Sequence, residues 1–185
     1  MTCIVGMAVG GKLYMGGDSC TADVEGSMEK SIRKDAKVFE TRDMLIGYSG
    51  SWRFGQIIRW IFDPPAQKTD QEDLEYLVTD WVAELKKTCN AEGYSKIENN
   101  EETMESTALL GYKGKLYVLD GDWNIGEPAE DYAALGAGSA VAMGAMFATF
   151  KASKSMTSKA RLEIALQAAS EYIVGISPPY IFLSK

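Results

Sequence analysis

The stretch that most restricts how this chain can fold is residues 1–18. Thr2 to Val9 reads as a strand, Gly10-Gly11 as a hairpin turn, and Lys12 to Gly16 as a second strand. Strands joined by so short a turn are antiparallel neighbours, so the rest of the chain must build on an antiparallel sheet. The hairpin also brings the chain back on itself: Asp18, at the end of the second strand, returns to the beginning of the first. An initiator methionine is usually trimmed when threonine follows it, because the second side chain is small. Trimming here leaves Thr2 with its hydroxyl beside its own α-amine. That amine titrates at about pH 8, low enough for a general base at neutral pH.

The remaining chain alternates hairpins with pairs of helices. Ser19 to Ala36 is polar and reads as a loop or short hairpin. Lys37–Thr41 and Met44–Tyr48 read as strands around an Arg42-Asp43 turn. Ser49-Gly50-Ser51 caps a helix from Trp52 to Phe62, with Phe54, Ile57, Ile58 and Ile61 on one face, and Pro64-Pro65 ends it. Thr69-x-x-Glu72 has the form of a capping box. It opens a second helix in which Leu74, Leu77, Val78, Trp81, Val82, Leu85 and Cys89 recur at the helical period. Residues 92–104 read as a surface loop. Strands follow at Ser106–Tyr112 and Lys115–Leu119, then a loop and a short strand at Tyr132–Leu135. Helices to about Lys151 and from Ser158 to about Val174 come next. Ser177-Pro178-Pro179 breaks the chain before a last strand, Tyr180–Leu183. Neither a repeating βαβ unit nor an all-β pattern is present. This order predicts one α+β domain over residues 1–185, a four-layer αββα sandwich with two antiparallel sheets between helical layers.

Composition removes several functions. The net charge of −7 is wrong for a phosphate-binding surface, so no nucleic-acid partner is expected. Residues 132–150 are too rich in Gly, Ala and Ser for a membrane span. No basic region precedes an apolar run, and the odd set Cys3, Cys20 and Cys89 has no metal spacing, so a reducing cytoplasmic location is expected. The chain contains no histidine, which excludes Ser-His-Asp and Cys-His machinery. Any hydrolytic base must be an amine or a carboxylate.

With these segments in order, the chain resembles the proteasome β-subunit/HslV-like family of N-terminal nucleophile (Ntn) hydrolases. The matching segments are Thr2-Cys-Ile-Val-Gly6, the hairpin to Gly16-Gly-Asp-Ser19, Lys37-Val-Phe39, Leu45-Ile-Gly-Tyr-Ser-Gly50 and Leu135-Gly-Ala-Gly-Ser139. The resemblance implies the αββα fold, a threonine nucleophile and assembly into homo-oligomeric rings. Thr2 would supply both Oγ and the basic amine. Asp18 would hold the lysine, Lys37, whose charge keeps that amine neutral, and Gly47 N–H would form the oxyanion hole. Thr21, Leu45 and Ser49 would line the pocket for the residue before the scissile bond, with Arg53 near enough to reach it. The resemblance implies a peptide or unfolded-protein substrate and no cofactor, and leaves open an ATP-dependent unfoldase as partner.

Some positions depart from the family pattern. The loop before Lys37 is long, which makes Lys34 a rival for the lysine. Ala137 stands where the family has a serine hydroxyl beside the amine. Glu171 replaces a late aspartate, and Ser177 matches a late serine only loosely. Two other functions therefore stay open: an Ntn amidase acting on a small amide, and a ring subunit whose chemistry is lost or masked.

Overall fold

The computed structural model describes residues 1–22, 29–98 and 100–185. β1 (Ile4–Val9) and β2 (Lys12–Gly17) form the predicted hairpin, in register from Ile4 opposite Gly17 to Val9 opposite Lys12. Gly10 and Gly11 have φ of +58° and +77°, as a tight turn matched to strand twist requires. β3 (Cys20–Ala22) and β4 (Lys30–Ile32) pair as a small ribbon. β5 (Val38–Thr41) and β6 (Met44–Ser49) form the next hairpin. α1 (Trp52–Trp60) follows, capped by Ser51 Oγ, which accepts from Arg53 N–H. α2 (Asp73–Tyr76) runs through a π-helical turn at Leu77–Trp81 into α3 (Val82–Ala91).

β7 (Lys96–Glu98) and β8 (Glu101–Thr103) pair with each other. β9 (Thr107–Tyr112), β10 (Lys115–Leu119), β11 (Ile125–Gly126) and β12 (Tyr132–Leu135) precede α4 (Ser139–Ala152), α5 (Ser158–Tyr172) and β13 (Ile181–Ser184). The two larger sheets have the orders β12–β1–β2–β13 and β11–β10–β9–β6–β5. Their pairings are antiparallel throughout. The fold is thus a mixed one of antiparallel sheets and helices.

Three apolar clusters fill the interior. One joins Ile4, Leu13 and Met15 of the first sheet to Val38, Leu45, Leu109 and Leu116 of the second. Strand alternation turns the neighbours Met44, Ile46 and Tyr48 the other way, onto Phe54, Ile57, Leu77, Trp81 and Leu85 of the helices. The third joins Val5 and Met7 to Ala142, Met146, Leu162, Ala165, Leu166 and Ala169. Each large side chain so buried contributes about 1.5–3 kcal/mol relative to exposure.

Three local readings change. The capping box does not operate: the helix starts at Asp73 with Glu72 at the N-cap and no side-chain cap bond. Gln67 instead ties this turn together, donating to Gln71 O and Asp73 Oδ1. The polar 92–104 segment contains the β7–β8 pair, and the π-turn interrupts the helical period at Trp81, whose ring packs edge-on against Phe62.

Candidate functional site

The hairpin register puts residue 18 opposite residue 3, and Asp18 N–H donates to Cys3 O at 3.2 Å. The Asp18 carboxylate faces back to the same place. Oδ1 accepts from Cys3 N–H at 2.9 Å and Oδ2 from Cys20 N–H at 3.0 Å. Lys37, just before β5, arrives from the other sheet. Its Nζ lies 3.0 Å from each Asp18 oxygen, 2.5 Å from Cys20 O and 3.1 Å from Met1 O. Both side chains are buried, Asp18 at 1% exposure and Lys37 at 3%. Burial pulls the Lys37 ammonium below its usual range, and the Asp18 charge and hydrogen bond oppose that shift. Four oxygen acceptors surround a nitrogen that offers three protons, an environment suited to the charged form.

Thr2 is buried beside this pair, and its Oγ1 donates to Met1 O at 2.7 Å. The Met1 carbonyl therefore accepts from both the Thr2 hydroxyl and the Lys37 ammonium. The Thr2 carbonyl accepts from Gly138 N–H at 3.2 Å. Gly136 holds this approach open: a Cβ on it would stand 2.4 Å from Thr2 O and 2.8 Å from Ser49 Oγ. Ser49 thus lies next to Thr2. Thr21 adjoins Cys20, and its Oγ1 accepts from Trp52 Nε1–H at 3.2 Å.

Other predicted positions lie elsewhere. Leu45 is fully buried between the two sheets and does not line an open pocket. Gly47 is on the same face of β6, where a Cβ would stand 2.5 Å from Ile4 Cγ2 and 2.9 Å from Met15 Sδ. Tyr48 N–H donates to Lys37 O, just before β5, so the N–H of Gly47, one residue away, points to β9, where Leu109 stands opposite. Gly47 is a packing glycine whose N–H serves the sheet. Gly50, at the turn from β6 to α1, has φ +108° and an N–H that bonds to none of the described residues. Its sequence signal was its place between Ser49 and the Ser51 cap.

Lys34 and Glu171 are exposed. Ser177 Oγ is buried with no partner among the described residues. Ala137 brings no hydroxyl, and the Arg53 guanidinium pairs with Glu92. Cys3 is fully buried, and burial with the nearby Asp18 charge pushes its thiol up to about 12. Among the described residues no group of acidic, Cys or His side chains is arranged to hold a metal. No helix of the described residues is long and apolar enough to cross a membrane. A cavity of about 450 Å³ lined by Arg42, Asp43, Gln67, Tyr76, Tyr112 and Lys113 lies at the far end of β6 and includes no site residue.

Comparison with solved structures finds this fold in Thiobacillus denitrificans BPH, with TM-score 0.81, 19% identity, and coverage of 100% of this chain and 97% of that one. The same protein in complex with epoxomicin gives TM-score 0.78 at 18% identity, covering 100% and 98%. Eukaryotic HslV from Trypanosoma brucei gives TM-score 0.68 at 17% identity, covering 99% and 98%. No family model and no curated protein matches the sequence. Likenesses that span the chain bear out the proteasome β/HslV-like resemblance at the level of fold.

Proposed function

We propose that this chain is a threonine peptidase of the Ntn class, built as a four-layer αββα sandwich and active once Thr2 carries a free amine. The observation that carries the reading is the convergence of the buried Asp18–Lys37 pair and Thr2 Oγ1 on one atom, Met1 O. The four layers are supported by the three clusters, one between the sheets and one between each sheet and its helices. The epoxomicin complex of Thiobacillus denitrificans BPH adds support, since epoxomicin is an inhibitor of threonine proteases.

In this mechanism Thr2 Oγ attacks the peptide carbonyl carbon and its proton passes to the α-amine. Lys37 keeps that amine neutral beforehand by its charge. Gly50 N–H, in preference to Gly47, takes the developing oxyanion. The α-ammonium returns the proton to the leaving nitrogen as the C–N bond breaks, which leaves an ester on Oγ. Water then gives a proton to the amine and attacks the ester. The acid product departs, and Oγ regains its proton. Thr21 and Ser49 flank the substrate side chain. Peptides or unfolded chains are the substrate class, rings of identical subunits the assembly, and an ATP-dependent unfoldase a compatible feeder. Trp60, 73% exposed on α1, is available for a subunit contact.

A second reading, a masked ring subunit, is favoured by Ala137, which offers no hydroxyl to orient the amine. One experiment separates the two. Protein with Met1 removed should cleave short N-capped peptides, Thr2→Ser should retain part of that activity, and Thr2→Ala and Met1-retained protein should be inactive. General-base assistance is typically worth about 10²–10⁴-fold, so the losses are easily measured. Equal hydrolysis by Met1-free Thr2→Ala and wild type would refute the mechanism. Inactivity of all four forms would favour the masked subunit.

A further inference from the structure

We infer that Trp52 sets the specificity of this site, its indole restricting the residue before the scissile bond to a small side chain such as alanine. The inference rests on the threonine-peptidase reading and adds a substrate class to it. Trp52 opens α1 just after Ser49 and Gly50, so the chain delivers it to the side of Thr2. Its ring is fixed in several directions. Nε1–H donates to Thr21 Oγ1 at 3.2 Å, and the Arg33 guanidinium lies 4.0 Å from the ring centroid. Tyr48 meets the ring edge-on at 6.0 Å. Lys37 Nζ is 5.7 Å from the same centroid, while it also contacts Met1 O beside the Thr2 hydroxyl.

A substrate side chain passing between Ser49 and Thr21 over Lys37 therefore meets a large, half-buried, anchored indole. A bulky residue must displace that ring, losing the Thr21 hydrogen bond and the Arg33 contact. Alanine or glycine needs no displacement. Arg33 does not turn the pocket toward acidic residues, because its Nε donates to Asp35 Oδ1 at 2.7 Å and its second donor is on Oδ2. Apolar pockets distinguish side chains by about 10–200-fold per methylene-sized difference, so a discrimination of at least ~10-fold between alanine and leucine is expected.

The test uses Met1-free protein and two peptide epoxyketones that differ only in the residue next to the electrophile, alanine or leucine. Rates of covalent addition are read by intact mass, with the adduct mapped to its residue. Wild type should be labelled at least ~10-fold faster by the alanine probe. Trp52→Ala should abolish or reverse that ratio. Trp52→Phe, which keeps a ring but loses the bond to Thr21, should fall between, and it guards against a folding defect in Trp52→Ala. Equal labelling of wild type by both probes, or an unchanged ratio in both variants, overturns the role of Trp52. Adducts on Thr2 in that case leave the peptidase reading standing. No adduct from either probe on any of the three proteins overturns the peptidase reading and this inference with it.

Discussion

Asp18→Asn keeps the shape of the side chain and removes its charge. The carboxylate now accepts from Cys3 N–H, Cys20 N–H and Lys37 Nζ, the last at 3.0 Å from both oxygens. An asparagine has one acceptor oxygen. In either orientation its NH₂ group faces a backbone donor and an ammonium, so one buried donor loses its partner. Lys37, 3% exposed, keeps the Met1 and Cys20 carbonyls and the one amide oxygen but loses its counter-charge. Removing one member of a buried ion pair typically costs about 3–5 kcal/mol. For a chain of this size each kcal/mol lowers Tm by about 2–4 °C, so a fall of about 6–20 °C is expected. The assay is denaturant unfolding of wild type, Asp18→Asn, Lys37→Met and the double variant. All four are compared with Met1 retained, so turnover plays no part. The double variant should be less destabilised than the sum of the singles, with a coupling of about 1–3 kcal/mol. A loss below about 1 kcal/mol in Asp18→Asn, or additive singles, would mean that Asp18 and Lys37 are not coupled as a buried ion pair.

The pH dependence of stability should carry the mark of Lys37. Its folded value lies below the ordinary 10.5, so at alkaline pH the unfolded chain binds more protons and stability rises toward pH 10.5. Lys37→Met should lack that rise in a series of melts, and an identical slope would count against the assignment. Cys3, with its thiol pushed up to about 12, should resist alkylation in the native protein and react in urea. Peptide mapping that finds native Cys3 modified as fast as a free thiol would contradict this burial. Gly55→Ala would place a Cβ 2.0 Å from the Tyr48 ring, whereas a Cβ on Gly126 meets nothing within 4 Å. The first should cost about 1–3 kcal/mol and the second close to nothing in thermal melts; equal effects would mean that α1 does not pack on β6 in this way.

Local features of the site were legible in the sequence because local chemistry determines them. The Gly10-Gly11 turn fixes the hairpin, the hairpin fixes Asp18 against residue 3, and the strand start fixes Lys37 while Lys34 stays outside. Gly47 and Leu45 were not legible in the same way. Both faces of β6 are buried, so its apolar run does not reveal which face meets the other sheet. The need for a glycine at 47 comes from Ile4 and Met15, distant in sequence. The role proposed for Gly50 likewise depends on a turn whose N–H is left over once β6 has paired on both sides. In the sequence Trp52 stands out only as the first residue of a helix, since its hydrogen bond to Thr21 spans 31 positions.

The ion pair also explains why this site belongs to the folded chain and to no fragment of it. Met1 and Asp18 flank β1 and β2 at one end of the first sheet and Cys20 begins β3 just beyond it, while Lys37 leads into β5 of the second sheet. Next to this polar contact, Val38 Cγ1 would stand 3.0 Å from a Cβ on Gly17 and 3.2 Å from one on Gly47. The sheets are therefore also in close apolar contact beside the place where the charges meet. Separating them would expose the apolar layer and at the same time strip Lys37 of every acceptor it has. Docking of the sheets and assembly of the site are thus one event. A change that loosens the layer, such as bulk at Gly17 or Gly47, should weaken the Lys37 contacts even though neither residue touches Thr2.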